Sequence, residues 1–111
     1  MILQLKEGVI VRGNKYINKI LEAVQLVYAK HEWNMVVTSG NDSTHSVGSY
    51  HGQDRALDIR FWDIPAEHRR GVADEITALL PGYYDVVMET DHYHIEADAQ
   101  KERRASVPVQ T

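Results

Sequence analysis

The sequence predicts an α+β domain: a small, mostly antiparallel sheet with helices packed on it. Three observations lead there. Two segments repeat apolar residues at helical spacing. Several short runs rich in β-branched and aromatic residues read as strands. The last two of these runs lie at hairpin spacing, so the order β-α-β-loop-β-α-β-β places strands and helices in one α+β unit.

Each element has a local reason. Val9-Ile10-Val11, closed by Gly13-Asn14, is a strand or an ordered arm. From Lys15 to about Glu32, Ile17, Ile20, Leu21, Val24 and Val27 or Tyr28 form one stripe, with Lys19, Glu22 and Gln25 off it. Asn14 suits the N-cap. His31 follows the helix, where the C-terminal dipole favours it. Asn34 to Thr38 reads as a buried strand centred on Met35-Val36-Val37. Ser39 to Ser43 breaks regular structure, and the loop continues through Gly48 to His51. Arg55 to Phe61 reads as a strand. Pro65 opens a second helix, with Asp63 or Ile64 just before it. That helix runs to about Leu80, burying Val72, Ile76 and Leu79 or Leu80, and Pro81-Gly82 ends it. Tyr83 to Met88 and His92 to Ala97 form the hairpin. From Asp98 the chain turns charged and small, and a frayed tail is expected through Thr111.

A chain of 111 residues fits one domain with a single modest core. A formal charge of −4 argues against nucleic acid as a partner, since phosphate binding needs an excess of Lys and Arg. No run approaches the roughly 20 apolar residues of a membrane span, so no membrane insertion is expected. The start of the chain lacks the long apolar stretch of an export signal. A soluble, monomeric product of the cytoplasm is expected, acting outside only if something else releases it. There is no cysteine, which suits a reducing compartment and means that any tight zinc site is built from histidine and carboxylate.

Two segments carry that possibility: Ser49-Tyr50-His51 running into Arg55-Ala56-Leu57-Asp58, and Asp91-His92-Tyr93-His94. His51, Asp58 and His94 are ligand types that a catalytic zinc site uses, three from protein with one position left for water. Asp58 lies in an apolar strand between Leu57 and Ile59. Alternation puts Ala56, Asp58 and Arg60 on one face. A buried carboxylate needs compensation, from a cation or from an ion pair with Arg55 or Arg60. His92 and His94 share a face, either on a metal or as a solvated sheet surface, with Tyr93 and Ile95 turned to the core.

Ser49 to Asp58 resembles the S-x-H-x-x-G-x-A-x-D pattern of the D-alanyl-D-alanine carboxypeptidase family of zinc peptidases. The wider superfamily includes phage L-alanyl-D-glutamate endopeptidases, murein endopeptidases and the zinc-binding signalling domain of hedgehog proteins. Four of the five pattern positions match, and Asp54 stands where glycine is usual. Aspartate tolerates a left-handed backbone better than most residues. Val37-Thr38-Ser39-Gly40 resembles the strand that leads into this loop. The likeness spans roughly Asn34 to Glu96, with the same order of elements, and implies a hedgehog/DD-peptidase-like fold.

Asp91-His92-Tyr93-His94-Ile95-Glu96 resembles the D-x-x-H-x-E stretch of the endopeptidases. The resemblance implies His94 as the third zinc ligand, Asp91 as the catalytic carboxylate and His92 as a helper at the oxyanion or in proton transfer. Glu89 competes with Asp91 for the base. If Thr90-Asp91 is a two-residue turn, Glu89 and His92 flank it and share a face. Thr-Asp is not a favoured pair for such a turn, so Asp91 ranks first and Glu89 second. Ser49 and Arg55 are candidate substrate contacts. His45 is a further loop histidine, and His68 lies on the polar face of the second helix. Trp33 and Trp62 suit core or rim packing. Asn41-Asp42 occupy the place where many family carboxypeptidases hold a substrate carboxylate with arginine. That favours endopeptidase action, although Arg55 or Arg60 can substitute.

The function expected is zinc-dependent hydrolysis of an amide bond, in a peptide or in peptidoglycan stem peptides. A zinc-stabilised binding module without turnover, of the hedgehog type, is the alternative.

Overall fold

In the computed structural model, which describes residues 3–41 and 50–106, the chain is α+β. The described elements are β1 (Leu3–Leu5), α1 (Lys15–Lys30), β2 (Met35–Ser39), β3 (Ala56–Arg60), a 3₁₀ turn (Ala66–His68), α2 (Arg69–Ala78), β4 (Tyr84–Met88), β5 (His92–Ala97) and α3 (Ala99–Ser106). The five strands form one open sheet in the order β1-β2-β3-β5-β4. Only β1 and β2 run parallel; the other neighbours are antiparallel.

The helical stripe of α1 buries Ile17, Ile20, Val24, Val27 and Tyr28, as its period requires. Asn14 caps it, its Oδ1 accepting from the N–H groups of Tyr16 and Ile17 at 2.9 Å each. The same side chain donates from Nδ2 to the carbonyl of Asp54 at 2.8 Å. Glu32, just past the helix, adopts φ 60°. α2 begins only after the 3₁₀ turn that follows Pro65, and buries Val72, Ala73 and Ile76. Of the two leucines at its end, Leu80 is buried and Leu79 is exposed.

α1 and α2 pack on one face of the sheet, against Leu57, Ile59, Tyr93 and Ile95. Alternation then turns Asp58, Arg60, His92, His94 and Glu96 to the opposite face.

Of the two alternatives for Val9 to Val11, the structure has the ordered arm: Val9 and Val11 pack against the core, and the Ile10 carbonyl accepts from Asn41 N–H at 2.7 Å. Two elements depart from expectation. The first strand is instead the short, exposed Leu3–Leu5, held by pairing with β2. The frayed tail expected from Asp98 is corrected over 99–106, where α3 forms. Its residues are strong helix formers, and Asp98 Oδ1 accepts from the N–H groups of Gln100 at 2.9 Å and Lys101 at 3.1 Å. Lys101 then pairs with Asp85 at 2.6 Å, and Glu102 pairs with Arg55 at 3.0 Å. These contacts dock a helix that has little apolar surface of its own.

Candidate metal centre

The site is assembled by the register of two strands and one turn. β3 and β5 pair so that Asp58 lies opposite His94, Arg60 opposite His92 and Ala56 opposite Glu96. The turn that follows Tyr50 brings in His51: the Tyr50 carbonyl accepts from Arg55 N–H at 2.9 Å, and the His51 carbonyl from Asp54 N–H at 3.1 Å. Asp54 takes φ 53° there, in the position where the family pattern has glycine. Asn41 Nδ2 donates to its carboxylate at 3.0 Å, and Arg12 lies 4.0 Å from it.

Three separated side chains thereby converge. His51 Nε2 lies 3.2 Å from Asp58 Oδ1, and His94 Nδ1 lies 2.9 Å from the same oxygen. One ligand atom from each residue falls within 4.8 Å of the others. A tetrahedron with bonds of about 2.0–2.1 Å sets its ligand atoms roughly 3.3 Å apart. The donor spacing therefore fits a small divalent cation. Two imidazoles and one carboxylate suit zinc or a neighbouring transition metal better than calcium or magnesium, which prefer all-oxygen sets.

The electrostatics agree with the geometry. Burial works to raise the Asp58 carboxyl, yet the hydrogen bonds from His51 and His94, with the charges of His51 and His92, hold it well below the usual carboxylate range. The hydrogen bond to Asp58 outweighs burial at His94 and, with the one to Glu96, pushes that imidazole up to about 9.

Glu96 is a site residue that sequence reasoning did not assign. Its Oε1 lies 2.7 Å from His94 Nε2, so His94 turns Nδ1 to Asp58 while its far nitrogen is held. Histidines that bind metals commonly have such a partner, which fixes the ring and its tautomer. The spacing was readable, since residues two apart in a strand share a face.

Beside this group stands a second one. The hairpin adopts the two-residue Thr90-Asp91 connection that its turn chemistry disfavours: Glu89 N–H donates to the His92 carbonyl at 2.9 Å, and Met88 pairs with Tyr93. Glu89 therefore lies on the site face, with Oε1 3.3 Å from His92 Nε2. Asp91 sits at the tip and binds the other ring nitrogen, with Oδ1 2.6 Å from His92 Nδ1. The His92 Nε2 also faces Asp58 Oδ2 at 3.7 Å. Burial lowers the His92 imidazole, but the Asp91 hydrogen bond and the charges of Asp58 and Glu89 outweigh it and raise the group. Asp91 is lowered chiefly by its hydrogen bond with His92.

Arg55 does not point at this cluster. Its guanidinium is buried: Nε donates to the Ala97 carbonyl at 2.8 Å, a second nitrogen donates to Glu102 at 3.0 Å, and the group stacks 3.8 Å from the Tyr16 ring centre. Tyr16 also donates to Glu102 at 2.7 Å. Arg55, expected as a substrate contact, instead has its guanidinium engaged as a clasp joining the turn, α1 and α3. Arg60, by contrast, shares the site face and stacks 3.6 Å from the exposed Trp62 ring. Ser49, His45 and Asp42 lie outside the described residues.

No protein-family model matches this sequence, and no curated protein does. Among the described residues no helix is long and apolar enough to cross a membrane.

Proposed function

We propose that this protein is a zinc peptidase that hydrolyses an amide bond, with peptidoglycan stem peptides as the substrate class. The observation that carries the reading is the convergence of His51, Asp58 and His94 beside the Glu89–His92–Asp91 group. The substrate class rests on the resemblance of Ser49 to Asp58 and of Asp91 to Glu96 to the peptidase motifs.

His51, Asp58 and His94 would hold the ion, and three protein ligands leave a place for water. When bound, zinc would bring its water's pKa toward about 7 and polarise a carbonyl oxygen. The remaining work belongs to the chain. Glu89 is half exposed, on the site face, and accepts the proton of the attacking water. It then returns that proton to the leaving amine. Asp91 holds His92 at Nδ1, which directs Nε2 toward Asp58 and Glu89 on the site face, where a proton on Nε2 meets the developing oxyanion. The order of the two carboxylates is thereby exchanged: Glu89 is the base and Asp91 a positioning residue. The register of the Thr90-Asp91 turn is the reason.

The test is mass spectrometry of purified peptidoglycan fragments incubated with zinc-loaded protein. A stem peptide split with the gain of one water is expected. Stoichiometric zinc without any cleavage would reject the enzyme and leave the zinc-stabilised binding module.

A further inference from the structure

Asp58 belongs to two ligand groups, and its two oxygens divide between them. Oδ1 faces His51 and His94. Oδ2 faces His92 Nε2 at 3.7 Å, and that nitrogen is 3.3 Å from Glu89 Oε1. Asp58, Glu89 and His92 also offer ligand atoms that all lie within 4.8 Å of one another. The two positions would share one bridging carboxylate.

The orientation of His92 is an independent observation. Its Nδ1 is bound to Asp91, which lies outside the three-residue group. His94 has the same arrangement with the nitrogens exchanged: Nε2 is held by Glu96, and Nδ1 is turned inward. Each imidazole thus has a carboxylate on its far nitrogen and presents the near one to Asp58. That is how a protein orients an imidazole toward a cation. The inward nitrogen of His92 meets two carboxylate oxygens, an arrangement that a positive charge between them stabilises.

We infer a second divalent-cation position formed by Asp58, Glu89 and His92, bridged to the first by Asp58. This rests on the reading of the first group as a zinc site. The second position is the weaker, because Asp58 has already given much of its charge to the first ion and Glu89 is half exposed. Its occupant would tie up the Glu89 oxygen that accepts the proton and the His92 nitrogen that faces the oxyanion. The consequence is a peptidase activated by one equivalent of zinc and silenced by the next.

The test is calorimetric titration of the metal-stripped full chain with zinc chloride at neutral pH, in parallel for the wild type, Glu89→Gln and His92→Gln. Two events are expected in the wild type, one tight and one weaker. Each variant is expected to lose the weaker event and keep the tight one, which also reports that the variant is folded. Wild-type cleavage is expected to fall in proportion to occupancy of the weaker position. A single tight event up to millimolar zinc would overturn the second position and leave the peptidase reading standing. A weaker event that persists in both variants would overturn it too, by placing the ion elsewhere. Loss of the tight event from the wild type would instead count against the first site.

Discussion

With the metal stripped, the stability of this protein is expected to decline as pH rises from about 6.5 to about 9, with His94 the main group responsible and His92, also raised, adding in the same direction. Its imidazole moves from an ordinary value of 6.5 to about 9 in the folded chain, driven first by the hydrogen bond to Asp58, against burial, and then by Glu96. A raised folded-state value means that the native protein holds more protons than the unfolded one across that window. The stabilisation is therefore fully present below pH 6.5 and is lost as pH passes 9. At 1.36 kcal/mol per pH unit the displacement amounts to about 3 kcal/mol. Solvent screening reduces this somewhat, since the side chain is 19% exposed. Urea unfolding in chelator at pH 6, 7.5 and 9 reads the slope directly. His94→Gln is expected to reduce it to the smaller part that His92 contributes, and saturating zinc is expected to remove the His94 part in the wild type, because the ion takes the place of the proton. A flat wild-type profile, or an undiminished slope in His94→Gln, would refute the reasoning.

Three further outcomes follow from the geometry. Arg55→Ala, which removes the buried donor to Ala97 and the stack on Tyr16, is expected to cost about 2–4 kcal/mol in urea unfolding without changing zinc stoichiometry; an unchanged midpoint with a raised KM would return Arg55 to substrate binding. Glu96→Gln is expected to weaken zinc binding by about 10–100-fold in competition with a chromophoric chelator, because it loosens the grip on His94 Nε2. Glu89→Gln is expected to lower kcat by about 10²–10⁴, and Asp91→Asn by less; the opposite ranking in a cleavage assay would restore Asp91 as the base.

Much of the fold was legible because the relevant signals are local. The stripe of α1, its Asn14 cap and the alternation of Asp58 and His94 each follow from a few neighbouring residues. The left-handed turn survives at Asp54, as expected of an aspartate in that position. What was illegible depends on partners distant in sequence. β1 is exposed and three residues long, and exists through its pairing with β2. α3 read as a tail because its charges find Arg55 and Asp85 only after folding. The Thr90-Asp91 turn runs against local preference, and five cross-strand pairs between β4 and β5 impose its register. Arg55 read as a substrate contact or an ion-pair partner of Asp58, since nothing near it in sequence announces Tyr16 or Glu102.

Asn14 links two places that the chain sets forty residues apart. One amide side chain secures the opening turn of α1 with its oxygen and the backbone beneath His51 with its nitrogen. Whatever steadies the histidine loop must also steady the start of the helix, and the dependence runs equally in reverse. Cation uptake at the sheet is therefore expected to slow hydrogen–deuterium exchange at Tyr16 and Ile17, two amides that touch no ligand, and fraying of that helix end would loosen the grip on the ion.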